Sequence, residues 1–142
     1  MTQRLDAWGW IFLVSGVGAL ANASWMLVGP MHWYTDLPAA VPDTGPFNPH
    51  FVRDIGCAFL TVGAALVWAA FNAALRRPLV SVSALFLGAH ALLHIYDTAL
   101  GNLPHSHWWL DLPGVYLPAL LLAAAAWSYR AQGAQGAQGR LK

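Results

Sequence analysis

Residues 79–100, LVSVSALFLGAHALLHIYDTAL, decide the fold of this 142-residue chain, because they contain a single charged side chain, Asp97. About 20 apolar residues in a helix are enough to cross a hydrocarbon core of ~30 Å. Three other segments of the chain share this length and composition. The sequence therefore predicts four membrane-spanning helices, at about 7–29, 49–75, 79–100 and 105–129.

The overall composition supports a membrane protein. Hydrophobic residues make up 58% of the chain and charged residues 9%, whereas soluble domains contain about 25% charged residues. The alternative is a soluble all-α protein with four buried helices, but none of the four segments has the polar face that a soluble bundle needs. We therefore expect an all-α integral membrane protein in which residues 1–130 form a four-helix bundle.

The two ends of the chain carry two further expectations. Residues 10–23 resemble a secretory signal with a small-residue cleavage site, but the apolar run continues to Val28, which favours a retained first helix. Residues 131–142 begin with the glycine-rich repeat AQGAQGAQG, and this composition predicts a disordered tail.

Basic residues sort the loops into two groups. Six of the seven lie at the N-terminus, between the second and third predicted helices, or in the C-terminal region: Arg4, Arg76, Arg77, Arg130, Arg140 and Lys142. With four spans these regions share one side of the membrane, and the positive-inside rule predicts that both termini are cytoplasmic. The chain resembles small four-helix bacterial inner-membrane proteins, so we expect a multi-pass protein of that membrane. A net charge of +1 without an extended basic cluster argues against nucleic acid as a partner.

The loop at 30–48 then faces outward and is expected to be structured. Residues 29–51 contain five prolines, each of which fixes its own backbone φ angle. Asn48 and Pro49 form an N-cap followed by proline at the first helical position, which starts the second helix. At about 20 residues the loop is longer than bundle connections usually are, so we expect it to fold over the bundle as a lid.

Titratable side chains form a stripe on the third predicted helix. His90, His94 and Asp97 are spaced i, i+4, i+7 and lie within roughly 60° of one another on a helix with about 100° per residue. The fourth predicted helix begins near His107 and Asp111, which are also spaced i, i+4. Because short loops make consecutive helices antiparallel neighbours, we expect these polar faces to converge on the bundle axis.

The second predicted helix repeats the pattern with His50, Asp54 and Cys57. An ionised aspartate at mid-bilayer costs about 2.5–3.5 kcal/mol even on the lenient insertion scale. We therefore expect this face to turn inward and to line, with the third helix, a shaft open to the outer side. Cys57 is the only cysteine, which excludes a disulfide within the chain and a multi-cysteine metal motif.

The shaft has the side chains of a transition-metal site. His90 and His94, one helical turn apart, can reach a common ion. His50, Asp54 and Asp97 are expected to complete the coordination sphere or to orient the imidazoles. Nitrogen and oxygen ligands suit zinc, copper(II) or non-haem iron. If the site is catalytic, Asp54 or Asp97 accepts a proton, and the substrate is a small lipophilic molecule that enters beneath the lid.

Other interpretations stay open. The histidines and aspartates are alternatively interhelical hydrogen-bonding groups, or a metal-free proton relay in a ligand-binding or transport protein. A third alternative is a homo-oligomer or an accessory subunit of a larger membrane complex, joined through glycines that permit close helix contacts: Gly16, Gly18, Gly56 and Gly63. His32, His105 and His107 are either interfacial loop residues or further ligands.

Overall fold

The computed structural model describes residues 5–139, with side chains described for residues 5–129. Every regular element in this part of the chain is helical. In chain order the helices are α1 (Ala7–Val28), α2 (Pro30–Asp36), α3 (Pro49–Phe71), α4 (Arg76–Ala99), α5 (His107–Leu110) and α6 (Leu117–Gly139). One turn of 3-10 helix at Val41–Thr44, another at Ala73–Leu75 and a π-helical turn at Leu112–Tyr116 connect them.

Four helical segments are long and apolar enough to cross a membrane: Ala7–Val28, Pro49–Phe71, Ala73–Ala99 and Leu112–Tyr129. The prediction of an all-helical chain with four spans is therefore confirmed, and the chain is a multi-pass membrane protein in contact with lipid. The side of the membrane on which the termini lie stays a prediction. The disordered tail at 131–142 also stays a prediction: α6 as described continues through the repeat to Gly139, and residues 140–142 lie outside the described part.

Two helix boundaries differ from those expected. The second helix was expected to reach residue 75, but α3 ends at Phe71, and the side chain of Asn72 accepts a hydrogen bond from the Leu75 N–H at 3.3 Å, which starts a 3-10 turn. The expected helix at 105–129 is divided. Pro113, which has no N–H to donate, lies in a π-helical turn in which the N–H groups of Val115 and Tyr116 both donate to the Asp111 carbonyl.

Glycines set the close packing of α1 on α3. A Cβ atom added to Gly63 would lie 2.9 Å from the Gly16 carbonyl oxygen, and one added to Gly16 would lie 3.0 Å from the Gly63 carbonyl oxygen. A Cβ atom on Gly56, two turns before Gly63, would lie 3.0 Å from Met26 Cβ. Small residues at these positions let the two backbones approach, as they do in many membrane helix pairs. These glycines are therefore used inside the chain.

A second helix pair, α4 with α6, completes the bundle. Small and medium-sized side chains of α4 and α6 form its apolar contact: Val80, Leu87, Ala91, Ala119, Leu122 and Ala125. Phe12 of α1 and Leu66 of α3 join the same core. Phe59 and Phe86 connect α3 with α4, their ring centroids 5.5 Å apart and their planes nearly perpendicular. Because lipid is as apolar as these side chains, close van der Waals packing holds the helices together.

An arginine ties three helices together at the end of the bundle where α1 begins. Arg76 donates to Asp6 Oδ2 at 2.7 Å and to the carbonyl oxygens of Ala69 and Ala70 at 3.0 and 3.1 Å. Asp6 also caps α1 by accepting from the Gly9 N–H at 2.8 Å. The Arg76 guanidinium, more than the Gly9 N–H, holds the pKa of the Asp6 carboxyl below its usual value.

The opposite end of the bundle, called the proline-rich end here, carries residues 29–48 and 100–111. Residues 29–48 are folded back on the helices. Trp33 Nε1 donates to the Asn22 side-chain oxygen of α1 at 2.8 Å, and the Tyr34 hydroxyl donates to the Gly45 carbonyl at 2.8 Å. Val41 is buried. The segment is therefore ordered, and it lies against the elements that hold the polar cluster described next.

Candidate functional site

Three titratable side chains meet at the proline-rich end. They are His94 of α4, His107 of α5 and Asp111, which follows α5 directly. His94 Nδ1 lies 2.7 Å from Asp111 Oδ2, and His107 Nδ1 lies 3.2 Å from the same oxygen and 3.3 Å from Asp111 Oδ1. The side chains of His107 and Asp111 are 0% and 1% exposed. An ionised carboxylate only accepts hydrogen bonds, so each imidazole donates to Asp111 when its Nδ1 carries a proton.

The reversal after α4 places these residues together. Gly101 has a φ of +78°, a left-handed conformation that glycine adopts without strain. The Asp97 carbonyl accepts from the N–H groups of Asn102 and Leu103 at 2.9 and 3.2 Å, which ends α4. Within α5 the spacing of four residues then puts His107 and Asp111 on one face, turned toward α4.

The segment before α3 supplies a fourth polar group. Asp43, in the 3-10 turn Val41–Thr44, lies with Oδ2 3.3 Å from His107 Nε2. The imidazole of His107 is thus placed between two carboxylates, Asp43 on one side and Asp111 on the other. A continuous chain of polar contacts follows, from Asp43, which is partly exposed, through His107 and Asp111 to His94.

Aromatic rings enclose the cluster on the side toward the middle of the bundle. The rings of His90 and His94 have centroids 4.6 Å apart and meet edge to face. His90 stacks parallel to Phe86 at 6.2 Å and lies against the edge of Phe59 at 5.8 Å. His90 is therefore held by ring contacts beside the cluster, and in the described part of the chain its nitrogens make no hydrogen bond.

Two buried hydroxyl groups lie on the elements that carry the cluster. Thr98 is one turn after His94 on α4, and Tyr116 ends the π-helical turn that starts after Asp111. Neither Thr98 Oγ1 nor the Tyr116 hydroxyl has a hydrogen-bond partner among the described residues. Buried polar atoms are nearly always paired with protein, water or a bound molecule. The Thr98 side chain lies close enough to the Tyr116 hydroxyl to act as its partner, so the two groups can bond to each other or to a bound molecule.

The residues expected on α4 are only partly brought together. His94 is part of the cluster and His90 is its neighbour. Asp97 is not part of it, because its Oδ1 accepts from the Asn102 side chain at 3.0 Å and so supports the reversal after α4. A role for Asp97 as a metal ligand or proton acceptor stays a prediction.

The expectation that the polar face of α3 turns inward is wrong. His50 and Asp54 are 87% and 60% exposed, and His50 Nε2 lies 3.4 Å from Asp54 Oδ2. The physical reason is the glycine packing. On a helix with about 100° per residue, Gly56 and Gly63 lie roughly 140° around α3 from His50 and Asp54. Close approach of the glycines to α1 therefore turns the polar face away from the bundle, and His50 and Asp54 are separated from the cluster.

The other loop histidines lie outside the cluster. His105 is exposed. His32 is also exposed and contacts its neighbours in sequence, with Nε2 3.0 Å from Asp36 Oδ2 and Nδ1 accepting from Trp25 Nε1 at 2.8 Å. His107 is the loop histidine that takes part in the cluster.

Asp111 was expected on one of the converging polar faces, but it was not named as a ligand of the site. The available signal was the i, i+4 pair of His107 and Asp111, the same spacing that drew attention to His90 and His94. A proline two residues after Asp111 also indicated that the helix changes direction there. Asp43 had no comparable signal, because its contact with His107 joins residues 64 positions apart.

Fold and cluster together define a class: a multi-pass membrane protein with four spans and a buried histidine–aspartate cluster at one end of its bundle. In comparisons with protein-family models, with curated proteins and with solved structures, the chain has no match.

Proposed function

We propose that this protein binds a divalent transition metal ion through His94, His107 and Asp111. The observation that carries the proposal is that one ligand atom from each of these residues lies within 4.8 Å of the other two. Two imidazole nitrogens and one carboxylate oxygen form a donor set that suits zinc or non-haem iron with open coordination positions, or copper(II). The proposed ligand set of His94, His107 and Asp111 contains no cysteine thiolate.

The distances from the two imidazoles to Asp111 are close to those between neighbouring ligand atoms around a coordinated ion. Metal–ligand bonds of about 2.0–2.1 Å in a tetrahedral site separate neighbouring ligand atoms by roughly 3.3 Å. His107 Nδ1 lies 3.2 and 3.3 Å from the two Asp111 oxygens. His94 Nδ1, at 2.7 Å from Asp111 Oδ2, must move away by roughly 0.6 Å to admit an ion. His94 is partly exposed and so has room for this movement.

The surroundings of the cluster support ligation. A metal-binding imidazole usually donates its second N–H to a carboxylate, which fixes its orientation. Asp43 stands in that position for His107, 3.3 Å from Nε2. Thr98 and Tyr116 add hydroxyl groups on the elements that carry the cluster. We propose that a small lipophilic molecule with one polar group is the ligand or substrate that completes the site.

The location is also a proposal. The positive-inside rule places Arg76 and Arg77 on the cytoplasmic side, so the proline-rich end faces outward. In a bacterial inner membrane the cluster would then lie near the periplasmic surface, with the segment of residues 29–48 between it and solvent. This arrangement lets an ion enter from the periplasm without crossing the hydrocarbon core.

Metal analysis of the purified protein tests the proposal. The chain is purified in mild detergent through a tag that contains no histidine, without chelator, and its metals are measured by mass spectrometry. We expect about one equivalent of one transition metal per wild-type chain, as for a site with a full ligand set. His107→Ala and Asp111→Asn should each lose most of it.

His50→Ala is the matched control, because His50 and Asp54 repeat the i, i+4 spacing of His107 and Asp111 on an exposed face. It should keep the wild-type metal content. Wild-type protein with far less than one equivalent, after incubation with zinc, copper or iron as well, would contradict the proposal. Equal metal loss in His50→Ala and His107→Ala would do the same.

A specific observation also favours a second candidate function, a metal-free proton relay. The contacts from Asp43 through His107 and Asp111 to His94 already satisfy the cluster by hydrogen bonding, and the 2.7 Å contact has the length of a strong charge-assisted bond. Vesicles containing the protein and a pH-sensitive dye test this candidate. A relay predicts metal-free proton uptake that Asp111→Asn abolishes and His50→Ala leaves unchanged.

A further inference from the structure

A seam of seven exposed residues runs along the whole of α3, on the side away from α1. Successive members are four and three residues apart in alternation: His50, Asp54, Cys57, Thr61, Ala64, Trp68 and Phe71. This alternation is the spacing of the contact positions in left-handed helix pairs. The exposed faces of α1 and α4 repeat in the same way, so the composition of the α3 seam, and not its spacing, distinguishes it.

The composition of the α3 seam separates it from the exposed faces of the other spans. Those faces consist mainly of residues that lipid accommodates well: Val14, Val17, Leu85, Leu92, Leu120 and Trp127. The α3 seam instead carries an imidazole and a carboxylate, and Asp54 lies about 7.5 Å along the helix from Pro49. Ionisable groups inside a span usually face a protein or water-filled interior, because contact with lipid is unfavourable. The α3 seam is thus expected to be covered by protein.

We propose that a second copy of this chain covers it, so that two copies pair through their α3 seams. Copies in one membrane have the same orientation, so a two-fold axis along the membrane normal makes the two α3 helices parallel and brings equal depths together. The His50–Asp54 pair of one copy then faces the same pair of the other. Because like residues meet at equal depth, the complementary contacts run diagonally, from His50 of each copy to Asp54 of the other, one helical turn away.

The middle and the far end of the α3 seam fit the same arrangement. Cys57, Thr61 and Ala64 are small, and the Thr61 hydroxyl already donates to the Cys57 carbonyl at 3.0 Å, so nothing there prevents close approach of two backbones. Trp68 and Phe71, both exposed, supply aromatic area at the other end. Of the four glycines expected to join chains, Gly16, Gly56 and Gly63 are covered within the chain, whereas nothing lies within 4 Å of a Cβ atom at Gly18.

This inference does not rest on the proposed metal site, since no member of the α3 seam belongs to the cluster of His94, His107 and Asp111. Loss of metal without loss of pairing, or the reverse, therefore separates the two proposals.

Cys57 provides the test, because it is the only cysteine and it is exposed. Any covalent dimer that forms through a thiol reports the position of this one residue.

The experiment is thiol cross-linking of the full chain in native-like membranes with a short bis-methanethiosulfonate reagent. We expect a disulfide-linked dimer on non-reducing gels for the wild type and for Thr61→Cys in a Cys57→Ser background. The control is Leu92→Cys in the same background. Leu92 is exposed on α4 and lies at nearly the depth of Cys57, about 10 Å against 12 Å from the proline-rich ends of their helices. It should give little dimer.

A second variant measures the strength of pairing. Ala64→Trp places bulk in the middle of the α3 seam on an exposed face, so the fold is retained, and we expect the dimer dissociation constant to rise about tenfold or more. Leu92→Trp should leave it unchanged. The proposal is overturned if Cys57 and Thr61→Cys cross-link no more than Leu92→Cys. It is equally overturned if Cys57 cross-links only to a different protein, or if Ala64→Trp pairs as strongly as the wild type.

Discussion

Replacing Gly63 by alanine is a direct test of how α1 and α3 are held together. The new Cβ atom would lie 2.8 Å from Leu20 Cγ and 2.9 Å from both the Leu20 nitrogen and the Gly16 carbonyl oxygen. Two of these three atoms belong to the backbone of α1, which cannot rotate away as a side chain can. Ordinary contact begins at 3.4 Å, so the two helices must separate by roughly 0.5 Å.

The expected magnitude is a balance of two effects. Overpacking of a close contact costs about 1–3 kcal/mol. Alanine in place of glycine within a helix returns about 0.5–1 kcal/mol. We therefore expect Gly63→Ala to lower the free energy of unfolding by roughly 1–2 kcal/mol. Gly18→Ala and Gly88→Ala are the controls, because nothing lies within 4 Å of a Cβ atom at either position. Both should be neutral or stabilising.

Unfolding by SDS in mixed detergent micelles, followed by circular dichroism, gives these free energies when it is reversible. The double variant Gly16→Ala/Gly63→Ala should cost less than the sum of the two single variants, because one separation of the helices relieves both contacts. The reasoning is refuted if Gly63→Ala is as stable as the wild type. It is also refuted if Gly18→Ala loses as much stability as Gly63→Ala.

Three further predictions concern the two ends of the bundle. Asp111→Ala should lower the free energy of unfolding by about 3–5 kcal/mol, because two imidazoles lose a buried charged partner. The control is Asp36→Ala, which removes a carboxylate from an exposed pair and should cost less than about 1 kcal/mol. Chemical unfolding of the two variants measures both values. Asp43→Asn should weaken the attachment of residues 37–48 to His107 and speed their amide hydrogen exchange, and unchanged exchange would show that this contact does not hold the segment. Asp6→Asn keeps the α1 cap but removes the charge facing Arg76. Since the folded pKa of Asp6 is lowered, the wild type should be more stable than this variant above the unfolded pKa, and the difference should vanish as the pH falls through the folded pKa. Unfolding measured across acidic pH tests this sign, and a difference that grows on acidification contradicts it.

Much of the fold follows from local composition. Four apolar stretches of spanning length predict four helices, because a bilayer leaves a backbone almost no other way to satisfy its hydrogen bonds. Asn48 before Pro49 predicts the start of α3, and the side chain of Asn48 does cap the helix by accepting from the N–H groups of His50 and Phe51. These features depend only on residues that are close in sequence, so they can be predicted from the sequence alone.

Only part of the candidate site could be predicted from the sequence in this way. His94 was expected from its spacing with His90, but its partners come from a different element. The reversal at Gly101 and the turn at Pro113 decide where His107 and Asp111 lie, and a shift of a residue in either would turn Asp111 elsewhere. Periodicity tells which residues share a face of a helix, but it says nothing about what that face meets.

The rotation of α3 shows this division most clearly. The sequence by itself determined that His50, Asp54, Cys57 and Thr61 form one polar face, because 100° per residue follows from helix geometry alone. Only the tertiary structure decided that this face points away from the bundle. The cause is contact with α1. Gly56 and Gly63, on the other side of α3, let the two helices approach closely, and van der Waals contact over that glycine face fixes the rotation of the whole helix.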